Sequence, residues 1–259
     1  SAYRVIAEDF NNDGIDDLFA GSMGIQVRKE DYDENYIGPY PHLLLLSSKD
    51  GKLKESNENI IDDNDGNGMN CGFAHDASAG DIDNDGDIDI FACSVLMIND
   101  GEGLFQIHPY INLQWQWENH YGNPMSSLIE DLNNDGFDDL IFWNFDNRSY
   151  WSLVDEGYIL LSNGSSEIKE WGKKTLPTGP FGYDHNKYNH AASGDFNGDG
   201  FEDVAVAITR DLPYYEGAYI QILINDQKGV LVDQTDQRFH NQLRMDSHHG
   251  EGNIYVRDM

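Results

Sequence analysis

The sequence of 259 residues carries 16 Lys and Arg against 47 Asp and Glu, which gives a formal net charge of −31. This charge argues against nucleic acid and anionic membrane surfaces as partners, and a cationic partner must be considered. Hydrophobic residues make up 39% of the chain, enough for a sizeable core. No apolar run reaches the roughly 18 residues that a transmembrane helix needs.

Four segments of the chain repeat one order of predicted elements. In the first segment, residues 1–60, the strand YRVIAED precedes an acidic loop and the apolar strand DLFAG follows it. A third strand, a turn with Gly and a fourth strand then come in HLLLLSSKDGKLKE. Residues 70–112, 122–172 and 186–236 repeat this order. Four strands per segment predict an all-β fold, a β-propeller of four-stranded antiparallel blades in one region, residues 1–259.

The loop between the first and second strand of each segment has the spacing of a calcium-binding shell. Oxygen side chains stand at loop positions 1, 3, 5 and 9, and glycine stands at position 6. Together with the backbone carbonyl of the seventh residue, these are the hard ligands and the sharp turn that Ca²⁺ requires. The predicted ligand sets are Asp9, Asn11, Asp13, Ile15 and Asp17; Asp81, Asp83, Asp85, Asp87 and Asp89; Asp131, Asn133, Asp135, Phe137 and Asp139; and Asp195, Asn197, Asp199, Phe201 and Asp203.

Two other interpretations of these loops are weaker. An EF-hand needs Glu at position 12, where this chain has Ala20, Ala92, Phe142 and Val206. A single copy is as compatible with an Asp- and Gly-rich turn as with a metal loop. Four copies with the glycine fixed make the turn interpretation negligible.

The acidic loop DxNxDGxxD followed by an apolar strand resembles the FG-GAP or VCBS repeat family, which is related to the calcium-binding blades of integrin α-chains. The resemblance covers nearly the whole chain and implies a propeller with about four bound Ca²⁺ ions. The family includes adhesins, lectin-like modules and non-catalytic propellers attached to enzymes, and some propellers are polysaccharide lyases. The resemblance therefore predicts the fold and leaves the task open.

The last residues predict the start of another blade. GNIYVRDM, within residues 250–259, resembles a first strand that reaches its loop, with Asp258 at the position of Asp9. An open ring would expose strand edges. We therefore expect the four complete blades to be part of a larger propeller, whose further blades belong to the same chain or to another chain.

The ends of the blades opposite the acidic loops form what we call the connector face, predicted at residues 22–40, 110–123, 143–157, 173–187, 209–217 and 236–251. Aromatic side chains cluster in these connectors and suit sugar rings or a protein loop. An equally open alternative is that they pack the connectors together. The candidate ligand-binding residues are Trp115, Trp117, His120, Tyr121, Trp151, Tyr183 and Tyr215, together with His75, His190 and His249 near first strands.

The histidines have two interpretations. They could act as acid or base in lyase chemistry with a tyrosine such as Tyr121 or Tyr188, or ligate a transition metal. We favour the simpler role, in which a histidine at a strand entry donates or accepts a hydrogen bond with the neighbouring blade.

The compartment follows from calcium, because cytosolic free Ca²⁺ is too scarce to fill weak loops. Cys71 and Cys93 are compatible with a disulfide or with two free thiols, and the sequons at Asn147 and Asn163 leave the source undecided. The chain begins at Ser1 without a leader, so we interpret it as a processed, recombinant or partial chain.

The combined expectation is a secreted or cell-surface, calcium-stabilised module that binds carbohydrate or an extracellular protein, without catalysis of its own. The alternatives are a polysaccharide-degrading propeller that uses the His and Tyr cluster, and a structural subunit of an extracellular filament.

Overall fold

The computed structural model describes residues 2–22, 42–61, 74–112, 124–144, 156–183, 185–213, 215–239 and 252–256. These residues are mostly strands and tight turns, with one four-residue α-helix, α1 (Thr235–Arg238), and two short 3-10 helices at Asn57–Asn59 and Ile168–Glu170. In the part of the chain described here, no helix is long and apolar enough to cross a membrane.

The first two sheets are antiparallel meanders. The first sheet contains β1 (Ala2–Glu8), β2 (Asp17–Ser22), β3 (Leu43–Ser47) and β4 (Leu53–Glu55), in chain order. The second contains β6 (Ala77–Gly80), β7 (Asp89–Ala92), β8 (Val95–Asn99) and β9 (Phe105–Asn112), and β5 (Ile60–Ile61) joins it parallel to β9. The short strand that follows the first sheet therefore pairs with the outer strand of the second sheet.

The third and fourth sheets repeat the meander without an added strand. The third contains β10 (Pro124–Glu130), β11 (Asp139–Asn144), β12 (Gly157–Leu161) and β13 (Gly172–Thr175). The fourth contains β14 (Asn186–Gly194), β15 (Asp203–Arg210), β16 (Glu216–Asn225) and β17 (Leu231–Asp233). The predicted fold class, all-β with the four-stranded antiparallel blades of a β-propeller, is confirmed. We call the sheets blades 1 to 4.

Each blade has two sides, because successive side chains of a strand point in opposite directions. The A side carries the residue directly after the ninth loop position, and the B side carries the residue after that. The A-side residues are Leu18, Ile90, Leu140 and Val204, and the B-side residues are Phe19, Phe91, Ile141 and Ala205. The second strand is buried on both sides, as in Asp139–Asn144, where all six residues are buried, and it therefore reads as a continuous apolar run.

The chain divides into two compact units, residues 1–81 with 85–116 and residues 82–84 with 117–259. In the first unit, Phe19 and Leu44 from the B side of blade 1 share a core with Ile90 and Met97 from the A side of blade 2. The second unit has its own core.

The core of the second unit repeats this arrangement. Ile141 and Trp143 from the B side of blade 3 pack with Val204 and Val206 from the A side of blade 4. In both units, then, a B side packs against the A side of the following blade.

Candidate functional site

The first aspartate of each acidic loop organises the loop backbone. In blade 3 the amides of Asp135 and Gly136 donate to the two carboxylate oxygens of Asp131, at 3.1 and 2.9 Å. The same pair of bonds is made by Asp9, Asp81 and Asp195. The glycine at the sixth position has a positive φ, for example 90° at Gly136, which a side chain would strain.

The fifth and third positions extend this pattern. The carboxylates of Asp13, Asp85, Asp135 and Asp199 each accept the amide of the residue two positions later. The amide oxygens of Asn11 and Asn133 accept the amides of Asp13 and Asp135 at 3.0 and 2.9 Å. These local bonds turn the polar side chains of one short segment towards one another.

The ninth position has a role that the sequence does not reveal. Asp17, Asp89, Asp139 and Asp203 have no exposed surface. In blade 4, Asp203 accepts the amide of Phe196 at 3.0 Å and the amide of Asn225 at 2.8 Å. Asp17 and Asp89 likewise accept the amide of the last residue of the third strand, and Asp139 accepts the amide of Ser162, directly after that strand. The ninth carboxylate thus ties the acidic loop to the third strand of its own blade.

The closest group of acidic ligand atoms lies in the second loop. Among the described residues, one carboxylate oxygen each from Asp81, Asp83 and Asp89 lies within 4.8 Å of the other two. Nine consecutive residues contain all three, so the local backbone sets their approach. Loops 1, 3 and 4 have Asn at the third position, and there an amide oxygen takes the place of the carboxylate.

The donor set fits a calcium ion. Each carboxylate oxygen has two lone pairs, so an oxygen that accepts one backbone amide keeps another for a cation. In the second loop Asp81, Asp83, Asp85 and Asp89 would hold the ion, together with the carbonyl of Asp87. A bound Ca²⁺ would supply the positive charge that the loop lacks.

Burial and backbone hydrogen bonds shift the pKa values of carboxyls in the third and fourth loops. Burial raises the pKa of Asp139 to about 7, and it also raises the pKa of Asp203. Backbone amides, first that of Gly200, lower the pKa of the exposed Asp195. Burial therefore disfavours the charged forms of Asp139 and Asp203, and a nearby cation would relieve this cost.

Asparagines link adjacent loops within each unit. Asn12 Nδ2 donates to Asp87 Oδ1 at 2.7 Å, and Asn99 Nδ2 donates back to the carbonyl of Phe10 at 2.8 Å. The second unit repeats both links. Asn134 Nδ2 donates to the carbonyl of Gly200 at 3.1 Å, and Asn225 Nδ2 donates to the carbonyl of Leu132 at 2.7 Å. Ser47 and Ser162 occupy the positions of Asn99 and Asn225 in blades 1 and 3, so the pattern alternates from blade to blade.

The predicted connector-face residues are only partly described. Trp115, Trp117, His120, Tyr121, Trp151 and His249 lie outside the described residues. Tyr183 is 52% exposed, whereas His75 is buried. Tyr215 is half-buried and has a φ of 54°. His190 Nδ1 accepts the amide of Ile254 at 3.1 Å, and its ring lies 5.7 Å from that of Tyr255. His190 therefore anchors the segment 252–256.

A buried polar network at the same end of blade 4 was not predicted. Tyr188 donates to Glu156 Oε2 at 2.9 Å and accepts the amide of Gly179 at 2.8 Å. Asn186 Nδ2 donates to Glu156 Oε1 at 2.9 Å. Burial, and then the charge of Glu156, raise the pKa of Tyr188 well above its ordinary value. Tyr188 is therefore a structural side chain, inaccessible to a substrate.

Lys187, directly before Tyr188 on the same strand, forms a buried ion pair. Lys187 Nζ lies 3.0 Å from Asp211 Oδ1, and neither side chain is more than 6% exposed. Asn189, two residues along β14, donates to Thr209 Oγ1 at 3.1 Å. In the sequence, only the polar residues of NKYNH indicate that β14 carries buried polar side chains. They do not identify Asp211 as the partner of Lys187.

Comparison with known proteins identifies one repeat. Residues 131–206 match the model of the FG-GAP-like repeat family, from the first residue of the third acidic loop to a point within β15. No curated protein matches the chain. The resemblance to this repeat that the acidic loops predict is thus confirmed over residues 131–206.

Proposed function

We propose, on the premise that residues 131–206 form an FG-GAP-like repeat, that this protein is an extracellular binding or adhesion module. Calcium stabilises its acidic loops, and its connector face contacts a carbohydrate or an extracellular protein. FG-GAP repeat propellers are binding modules, and the observation that carries the proposal is the identical bonding of the first aspartate in all four loops.

The charge of the loops supports a requirement for calcium. Positions 1, 3, 5 and 9 of each loop hold three or four carboxylates, and the one at the ninth position is buried. Like charges at this spacing repel one another unless a cation lies between them. Four loops of one geometry would bind about four ions, with the predicted ligand sets as their shells.

The cysteines support a location outside the cytosol. Cys93 is disulfide-bonded, and the chain's other cysteine, Cys71, lies outside the described residues. Disulfides persist in oxidising compartments and are rare in the cytosol. Weak calcium loops favour the same location, where free Ca²⁺ reaches millimolar levels.

The choice of the connector face rests on the difference between the two ends of the blades. The loop end repeats short turns, which leaves little room for a specific site. In the predicted connectors of blade 4, Tyr183 and Leu212 are exposed, and Asn186, which donates to Glu156, also bonds the backbone of Phe181 and Gly182 beside Tyr183. Preorganised aromatic side chains bind at low entropic cost. Because the net charge of −31 repels polyanions, we propose a neutral or cationic ligand.

A binding screen in millimolar calcium tests the proposal. Neutral and basic glycans and extracellular proteins would be immobilised and probed with the wild type and with Tyr183→Ala, Trp117→Ala and Trp151→Ala. We expect the connector-face variants to lose binding. Tyr255→Ala is the matched control, because Tyr255 is 75% exposed on the segment 252–256 rather than in a predicted connector.

Two results would contradict the proposal. If the connector variants bind normally while charge reversals around the acidic loops abolish binding, the contact surface is misassigned. If the wild type releases new unsaturated or reducing ends from a polysaccharide, and His190→Ala and His75→Ala do not, the protein is a lyase.

A further inference from the structure

One side of one blade is exposed where the equivalent sides of the other blades are buried. In each blade, one A-side residue of the third strand pairs with the third residue after the acidic loop. This residue is Leu43 in blade 1, Val95 in blade 2, Tyr158 in blade 3 and Gln221 in blade 4. Val95, Tyr158 and Gln221 are at most 3% exposed, whereas Leu43 is 37% exposed. The A side of blade 1 is therefore exposed at its third strand, although Ala20 on its second strand is buried.

The first and fourth strands of blade 1 extend this exposed surface. Val5 pairs with Ala20 and is 63% exposed, while Ser127, which occupies the same position in blade 3, is 7% exposed. Leu53, opposite Ser47 on the outer strand, is 47% exposed. We call Val5, Leu43 and Leu53 the blade 1 patch. It crosses the sheet from its inner to its outer strand.

A second apolar surface lies on the B side of blade 4. Val232 pairs with Ile224 on the outer strand and is 46% exposed. The equivalent residues of blades 1, 2 and 3, paired with Leu46, Ile98 and Leu161, are Lys54, Gln106 and Gly172. Blade 4 thus places an exposed valine where no other blade has an apolar side chain.

The segment 252–256 completes this surface at the inner strand. Gly252 lies beside the methyl group of Ala207, and Val256 lies beside Gly194. Because Ala207 is two residues after the B-side residue Ala205, the segment lies on the B side of blade 4. Tyr255 and Val256 remain 75% and 40% exposed. We call Val232, Tyr255 and Val256 the blade 4 patch.

The two patches are complementary in type. Within each unit, a B side packs on the A side of the following blade, as Trp143 packs with Val206. The chain also alternates, with Ser47 and Ser162 in the odd blades and Asn99 and Asn225 in the even blades. An odd blade whose A side is exposed at its third strand therefore fits the B side of an even blade, and the blade 4 patch offers such a side.

We propose that copies of this chain associate head to tail, with the blade 1 patch of one copy packed on the blade 4 patch of the next. Such an interface is heterologous, so it joins copies into a ring or an open filament rather than into a closed two-fold dimer. Both patches are apolar, whereas the whole chain has a net charge of −31, so copies of the chain repel one another. Salt or calcium screens this repulsion, and association therefore strengthens when either is added. This interface is independent of ligand binding at the connector face.

Paired charge substitutions test the interface. Val5→Glu and Val232→Glu each place a carboxylate in one patch at a position that already contacts water, so folding tolerates them. Sedimentation velocity in calcium should show wild-type assemblies that grow with concentration. Because a buried unpaired carboxylate is costly, each single variant should need about tenfold or more protein to associate.

Mixing the two variants makes the test specific. The Val5→Glu chain keeps an intact blade 4 patch and the Val232→Glu chain keeps an intact blade 1 patch, so together they should form a one-to-one complex that grows no further. Leu212→Glu, at a 61% exposed site outside both patches, should assemble as the wild type does. A wild type that stays monomeric over the whole concentration and salt range, or a mixture that stays monomeric, would overturn the proposal. Calcium-dependent melting of each variant, measured in parallel, shows that it is folded.

Discussion

The two ends of blade 4 are stabilised in different ways. At the loop end, Asp195 accepts the amides of Asp199 and Gly200, four and five residues away, and every other blade repeats these bonds. At the connector end, Tyr188 donates to Glu156, 32 residues away, and Lys187 pairs with Asp211. The loop end is encoded locally and copied, whereas the connector end depends on residues brought together by the fold. Removal of cations should weaken the first end, and core substitutions should weaken the second.

Removal of calcium should have the largest effect. An ion that binds only the folded state adds about 2.7 kcal/mol at a free concentration one hundred times its Kd, so four filled loops would add roughly 10 kcal/mol. Unfolding by urea with calcium and with a chelator measures the difference. Asp199→Ala should reduce the stabilisation by calcium by about one quarter, because one of four loops is lost. Asp236→Ala, outside the loops in α1, should leave that stabilisation unchanged. Equal stability with and without calcium would refute the metal assignment.

Loss of the buried ion pair should come next. Lys187→Ala leaves the Asp211 carboxylate buried without its partner, which should lower the free energy of unfolding by about 3 to 5 kcal/mol. Lys187→Met combined with Asp211→Leu should recover most of that loss. Lys52→Ala is the matched control, because the Lys52 and Asp50 pair is exposed to solvent and should contribute little to stability. Equal effects of Lys187→Ala and Lys52→Ala would show that the pair does not stabilise the connector end.

The pH dependence of the calcium-free protein gives a smaller effect at the loop end. Burial raises the pKa of Glu130 to about 7, from 4.5 in the unfolded chain, although Ser193 donates a hydrogen bond to it. The folded state therefore binds a proton more tightly, and this group's contribution to stability falls as the pH rises from 4.5 through 7. Glu130→Gln should add up to about 3 kcal/mol at pH 8 and little near pH 4.5.

Urea unfolding at the two pH values in chelator measures that change, with the exposed Glu102→Gln as control. The assignment fails if Glu130→Gln shifts stability equally at both pH values, since the benefit then does not come from the proton.

The smallest expected effect is the loss of one hydroxyl at the connector end. Tyr188→Phe removes the donor to Glu156 and the acceptor of the Gly179 amide, which should cost about 1 to 2 kcal/mol. Tyr255→Phe, on a ring that is 75% exposed, should cost almost nothing. Hydrogen exchange at Gly179 reads the same bond directly. Unchanged protection there in Tyr188→Phe would show that the hydroxyl does not hold this segment.

What the sequence could predict follows the same division. The acidic loops and the blade strands depend on residues close in the chain, so spacing and apolar alternation predicted them. The ninth aspartate was predicted as a ligand, and its bond to the third strand was not, because that strand lies up to 30 residues away, as for Ser47 and Asp17. Similarly, nothing local indicates that β5 pairs with β9 across 45 residues, from Ile60 to Phe105.

Lys187 also makes the opening of blade 4 observable. Its side chain is 2% exposed, whereas that of Lys52 is 80% exposed. An amine-reactive reagent or trypsin reaches Lys52 in the folded protein but reaches Lys187 only when β14 separates from the chain around it. The ratio of modification at these two lysines, measured by mass spectrometry, therefore reports the local unfolding of one blade in the unsubstituted protein.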